Sequence, residues 1–161
     1  MLDRRHFNKG YLGYSLLEVL VSLLVLSVGL LGMAALQTFG LKANHASLER
    51  TQATVLIQDI ADRMLTNRDG VVAGNYDAVN VSHSTSPPGY GGCPTNCASA
   101  SDLANFHIAE WIARLNAPGY LARGSLTIQR QVGATGFLYD ITLRWQEGDL
   151  NVRQQVMARI L

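Results

Sequence analysis

GYSLLEVLVSLLVLSVGLLGMAALQTFGL, residues 13–41, carries one charged side chain, Glu18, in a run otherwise made mainly of leucine, valine and small residues. From Val19 to Leu41 no charge interrupts it. As an α-helix residues 19–41 would extend about 34 Å, enough to cross a hydrocarbon core about 30 Å thick. Two alternatives stand beside a membrane helix. A buried core helix would require a small domain to cover a helix that is apolar on every side. A secretory signal usually has an apolar stretch of about 7–15 residues and a small-residue cleavage site. Gly32-Met33-Ala34-Ala35 is a weak match to such a site.

The flanks orient the run. Arg4, Arg5 and Lys9 precede it, opposed by Asp3. The positive-inside rule leaves the N-terminus in the cytoplasm and everything after about Leu41 on the far side. Cys93 and Cys97 then lie in an oxidising compartment. The whole chain of 161 residues has 13 Lys and Arg against 12 Asp and Glu, a net charge of +1. That balance argues against a broad basic surface for nucleic acid. A hydrophobic content of 48% excludes a disordered chain, and one apolar run excludes a polytopic membrane protein. Charged residues make up 16%, below the ~25% of ordinary soluble domains. The apolar run accounts for that deficit.

Glu18 sits between Leu16-Leu17 and Val19-Leu20. A carboxylate in lipid costs several kcal/mol by most estimates and normally has a partner or a task. The alternative is that Glu18 marks the interfacial start of the helix, near the positive end of its dipole. Around it, a short basic leader ends in Gly13, followed by Tyr14, Ser15, two leucines and Glu18. This resembles the class III signal of type IV prepilins and type II secretion pseudopilins. The resemblance implies cleavage between Gly13 and Tyr14 by prepilin peptidase, N-methylation of Tyr14, and Glu18 as the fifth mature residue. Tyr14 stands where the family usually has Phe, and Ser15 where Thr is common. The resemblance also implies that Glu18 meets the Tyr14 amine of a neighbouring subunit in a filament. A lone buried charge there would be expensive, and pairing would select an axial register. Gly29 and Gly32 fall inside the helix. They either permit close helix packing or reflect the frequency of glycine in membrane helices.

Beyond Lys42 the composition turns polar while helical spacing persists. Leu48, Val55, Leu56, Ile57, Ile60, Ala61 and Met64 recur at three- and four-residue steps, with Glu49, Arg50, Asp59, Asp62 and Arg63 between them. No proline occurs before residue 87. One helix from about Ser15 to Asn67, about 80 Å long, is expected. Arg68-Asp69-Gly70 would stop it, with Gly70 past the end. Residues 70–100 are rich in glycine and proline and read as irregular. Within them Asn80-Val81-Ser82 matches a glycosylation acceptor that is common by chance. Cys93-Pro94-Thr95-Asn96-Cys97 is neither a redox CxxC nor half of a metal site with a second pair; a local disulfide in a surface loop is the expectation.

Residues 102–116 read as a second helix, with Ala104, Ile108, Trp111, Ile112 and Leu115 on one face and Ser101 or Asp102 as its cap. His107 and Glu110 are three apart without further ligands, which favours a solvated face over a metal site. Phe137, Tyr139, Ile141, Leu143 and Trp145 then alternate with polar residues, a strand signal. Leu126 and Ile128 precede it across Gly133-Ala-Thr-Gly136. Leu150, Val152, Val156, Ala158 and Ile160 follow it across Glu147-Gly148-Asp149. A three-stranded antiparallel meander with one apolar face follows, covered by the amphipathic half of the long helix.

A long N-terminal helix on a C-terminal antiparallel sheet, with one more short helix, resembles the α+β fold of pilins. The likeness extends to PilV-type minor pilins through Tyr14-to-Val21, Leu30-to-Gln37, the Cys93/Cys97 loop, the helix carrying Trp111 and the Thr142-to-Trp145 strand. Its implied organisation is a cleaved leader over 1–13, a transmembrane half over 14–41, an amphipathic half over 42–69 and a periplasmic α+β region over 70–161. The implied function is that of a low-abundance subunit. It would prime pilus assembly at the inner membrane, lie near the fibre tip and serve twitching motility, adhesion or DNA uptake. Its implied partners are other minor and major pilins, prepilin peptidase, the inner-membrane assembly machinery and, before assembly, the lipid bilayer. Direct nucleic-acid contact, a metal and a cofactor are not expected. A type II secretion pseudopilin and a membrane-anchored enzyme are the alternatives. Against the enzyme, histidines at 6, 45, 83 and 107 are scattered, and no nucleophile elbow, P-loop or HExxH occurs. Asp59 and Asp62 read as solvated charges, so no catalytic residue is named.

Overall fold

A computed structural model describes residues 15–89, 93, 95–133, 136–147 and 150–160, with the backbone alone at 132–133, 136–137 and 150–160. The leader and the Gly13–Tyr14 junction lie outside the described residues. The chain divides into two units, Met1–Asn44 and His45–Leu161. Helix α1, Leu16–Thr66, supplies the described part of the first and opens the second.

In the first unit every described residue is exposed, its large apolar side chains from Leu16 at 90% to Val19 at 47%. The helix starts where Ser15 Oγ accepts from the Leu17 N–H at 3.3 Å, satisfying one of the donors that a helix start leaves open. Its hydroxyls are also satisfied internally. Ser22 donates to the Glu18 carbonyl at 2.8 Å, Ser27 to Leu23 at 2.7 Å and Thr38 to Ala34 at 3.0 Å. A hydroxyl bonded to its own helix offers lipid no unmet polar hydrogen. By length and composition this segment is long and apolar enough to cross a membrane.

The second unit is built around one core. Its part of α1 buries Glu49, Ala53, Leu56, Ile57, Ile60 and Met64. Leu48 and Val55, both expected on that face, are each 54% exposed, whereas Glu49, expected among the outward charges, is buried. The inward face follows the 49-53-56-60-64 row, and Leu48 and Val55 lie off it. The helix stops at Thr66, but Gly70 does not end it. Asn67 instead caps a further short helix, α2, Arg68–Val72. A Cβ at Gly70 would collide with the Asn67 side chain, so glycine permits this close approach. After α2 the positive φ falls on Gly74, at +80°.

The stretch expected to be irregular also holds strand β1, Val79–Ser82, whose Val79 and Val81 point into the core. Helix α3, Ala100–Leu115, begins two residues earlier than its apolar spacing suggested. Ser99, not Ser101 or Asp102, is the cap: its hydroxyl accepts from the Asp102 N–H at 3.1 Å. Asp102 lies in the first turn, where a negative charge suits the helix dipole.

Strands β2 (Ser125–Gly133), β3 (Gly136–Glu147) and β4 (Leu150–Ile160) form the expected antiparallel meander. β1 adds a fourth strand, giving the order β1-β2-β3-β4. It pairs only with the first part of β2, from Val79 opposite Ile128 to Ser82 opposite Ser125. At the strand ends Gly133 pairs with Gly136 and Glu147 with Leu150. Tyr139, Ile141, Leu143 and Trp145 are all buried, as alternation requires. They join Leu126, Ile128, the apolar members of the α1 row, Ile108, Trp111 and Ile112 in a single cluster.

Candidate functional site

Glu18 lies three residues after Ser15, on a helix face shared with Ser22, Leu23 and Leu26. The spacing is that of a capping box, but Ser15 Oγ accepts from Leu17 rather than Glu18, and no hydrogen bond or ion pair of the Glu18 carboxylate occurs among the described residues. Its neighbours along the chain, Leu17 at 71% and Leu20 at 65% exposure, are apolar and uncovered. Among its described residues the first unit therefore presents a single carboxylate, on a largely apolar helix. Gly29, Gly32 and Gly40 have no atom within 4 Å of where a Cβ would stand, so packing within the chain does not require them.

The second unit arranges its polar groups to hold α1, α3 and the sheet together. Asp59 receives Arg63 Nε at 2.9 Å on one oxygen and an Arg114 guanidinium nitrogen at 3.1 Å on the other. Arg63 reaches Glu110 at 3.0 Å. Asp59 is thus a bridge between helices, while Asp62 is exposed, and the two carboxylates do not converge. With all four side chains partly solvated, each pair contributes up to about 1 kcal/mol.

His107 and Glu110 do not share a solvated face. Glu110 is engaged by Arg63, and His107 is buried. Asn67 Nδ2 donates to the Tyr76 hydroxyl oxygen at 2.9 Å, and that hydroxyl stands 2.8 Å from His107 Nδ1. Which of the two donates in the Tyr76–His107 contact depends on the imidazole tautomer. Burial, reinforced by the Arg63 charge, lowers the His107 pKa against the opposing pull of Asp59 and Glu110. Burial raises that of Tyr76. The relay is a neutral, packed core element beside Trp111. Sequence spacing could not reveal it, because its three members come from the α1–α2 junction, the chain before β1, and α3.

A second anchor ties the sheet to α2. The Tyr139 hydroxyl donates to Asp77 Oδ1 at 2.7 Å, with the Val71 carbonyl oxygen 3.1 Å away sharing the same proton. Burial, and then the bond to Asp77, raise its pKa, so it stays a donor. Arg130 holds the other Asp77 oxygen at 3.1 Å. Cys93 and Cys97 are joined as a disulfide. Cys93 is buried, so one end of that small ring is packed rather than displayed. Among the described residues no three His, Cys, Asp or Glu side chains converge as metal ligands.

An exposed apolar helix with one carboxylate, continued by an amphipathic segment that closes an antiparallel sheet, defines a pilin-like α+β subunit. Two family models match the chain. Residues 8–34 match the prokaryotic N-terminal methylation motif, and residues 35–109 match the Tt1218-like model, type IV pilin Tt1218. Together the two matches support a type IV pilin-family protein. Strands β2 to β4 lie beyond both matches. No curated protein and no solved structure matches it. The family's domains are structural rather than catalytic, and the methylation motif with its apolar helix makes this a membrane-anchored, pilus-associated chain.

Proposed function

We propose that the protein is a minor pilin of the PilV type. It is made as a prepilin whose leader, residues 1–13, is removed by prepilin peptidase after Gly13. Tyr14 becomes the methylated N-terminus. Residues 14–41 anchor the subunit in the inner membrane with the N-terminus cytoplasmic, residues 42–69 form the amphipathic half of the helix, and residues 70–161 complete a periplasmic region. The subunit then joins other minor and major pilins, primes assembly by the inner-membrane machinery and resides near the fibre tip. It carries no catalytic function.

The observation that supports this reading is Glu18: a carboxylate without a partner among the described residues, on an exposed apolar helix inside a methylation-motif match. Transfer of that helix from lipid to a bundle of like helices keeps its leucines in an apolar setting. The carboxylate gains only if a cation meets it there, and the Tyr14 amine of an adjacent subunit is the proposed cation. Mass spectrometry of the mature protein tests the processing step. The expected N-terminus is methylated Tyr14; an intact leader, or a start near Ala35, rejects it. Glu18→Val tests the pairing, and its normal entry into pili would reject the assembly role.

A further inference from the structure

The charged side chains of the second unit are sorted along α1. At the end where the chain enters, His45 on α1, His83 after β1 and Arg123 before β2 line one cavity of about 250 Å³. Backbone bonds hold these segments side by side: the His83 N–H donates to the Gly124 carbonyl at 2.9 Å, and the Gln146 N–H to the Ala122 carbonyl at 2.8 Å. Strand β3 runs from α2, where Tyr139 meets Val71, back to the entering end, where Glu147 meets Arg50. Near that end Arg144 stands opposite Ser125, two residues past Arg123, and Arg153 of β4 stands opposite Arg144. His83, Arg123 and Arg144 are exposed, and none of the three forms an ion pair among the described residues.

The described carboxylates of that end are already engaged. Arg50 holds Glu147 through Nε at 3.3 Å and a terminal nitrogen at 3.2 Å, and Glu49 is buried beside His45. Two exposed carboxylates without an ion pair among the described residues, Asp62 and Asp69, lie at the other end, beside Arg68, late in α1 and in α2. The entering end thus offers cations that its acids do not neutralise. Position selects their partner. Residues 42–44 alone separate Leu41, the last residue of the apolar run, from His45. Four residues rise about 6 Å as helix and reach about 14 Å fully extended. Cations tethered that close feel the potential of an anionic bilayer, which decays over about 8 Å at physiological ionic strength. The guanidinium fork also matches phosphate oxygens. We propose that His83, Arg123 and Arg144 form a basic rim that docks this end of the unit on anionic phospholipid headgroups, guanidinium to phosphate, while the subunit resides in the membrane. The proposal rests on residues 14–41 being the membrane anchor.

The test places the full chain in nanodiscs of phosphatidylcholine or of phosphatidylglycerol, each with a trace of lipid spin-labelled at the headgroup, and reads paramagnetic broadening of backbone amides. In phosphatidylglycerol the amides of His83, Arg123 and Arg144 should broaden about twofold or more beyond their values in phosphatidylcholine, while those of Asp62 and Asp69 should not differ. Arg123→Gln combined with Arg144→Gln, both at exposed positions outside the core, should abolish the difference. So should 1 M salt, which cuts the screening length to about 3 Å. Equal broadening in the two lipids, or a difference that survives the double substitution, would overturn the proposal. Lipid contact unchanged in a double variant that no longer enters pili would overturn it too, and would assign the rim to an acidic surface of another subunit. Co-elution with phosphatidylcholine discs tests the anchor separately. A chain that stays out of them rejects the anchor, and the rim is then scored by flotation with phosphatidylglycerol vesicles. Weaker flotation of the double variant supports the rim; equal flotation of the double variant and the native chain rejects it.

Discussion

Leu56→Ala and Val55→Ala remove apolar atoms from adjacent positions of α1 with opposite expected consequences. Leu56 is fully buried in the cluster that includes Ile60, Leu126 and Ile128, whereas Val55 is 54% exposed. Truncating leucine to alanine deletes about three methylene equivalents, worth roughly 2.4 kcal/mol at about 0.8 kcal/mol each. The unfilled space raises the cost into the range of about 3–4 kcal/mol. Against a typical domain stability of about 5–15 kcal/mol, that is a large fraction. Val55→Ala removes little buried surface and gains a few tenths of a kcal/mol in helix propensity, so its net change should be within about 0.5 kcal/mol. Urea unfolding of the full chain in detergent, followed by tryptophan fluorescence, reports on this core directly, since Trp111 and Trp145 both belong to it. Equal shifts for the two variants, or a Leu56→Ala cost below about 1 kcal/mol, would refute the assignment of the inward face.

Tyr139→Phe deletes the hydroxyl that joins β3 to Asp77 and the Val71 carbonyl, and should cost about 1–3 kcal/mol in the same assay because a hydrogen bond to a carboxylate is lost, while the carbonyl keeps the Gly74 N–H. His107 makes stability depend on pH: its folded pKa is lowered from 6.5, so the unfolded chain takes up the proton first as pH falls. This contribution is complete above pH 6.5 and declines below it toward the folded value; thermal unfolding across that window should show the slope, reduced in His107→Gln. Ser99→Ala removes the α3 cap and should lower stability by about 1 kcal/mol, measured by urea midpoint.

What the sequence disclosed depended on period and length. The apolar run to Leu41 and the alternation through Trp145 each repeat a simple pattern long enough to outweigh local exceptions. β1 does not: four residues among turn formers carry no legible period, and Val79 and Val81 become strand residues only by pairing with β2. Glu49 looked like one of several outward charges on a helix. Its burial comes from the loop after α3 closing over it, a tertiary event that spacing within α1 cannot encode. The Asn67–Tyr76–His107 relay was hidden for the same reason. The Ser15 cap and the Ser99 cap were legible in principle, since each has an acidic residue three positions on, and the apolar spacing drew attention away from both.

The segment between β1 and α3 is tied at both ends. On one side the His83 N–H donates to the Gly124 carbonyl at 2.9 Å and the Ser82 N–H donates to Thr85 Oγ1 at 2.8 Å; on the other Ser99 caps α3. Between those knots the Cys93–Cys97 ring closes on itself. Lengthening such a loop is cheap, about 0.6 kcal/mol for each doubling. Lineages of this subunit can therefore diversify in that interval, by insertion or by exchange of surface residues, while the helices and sheet inherit unchanged constraints.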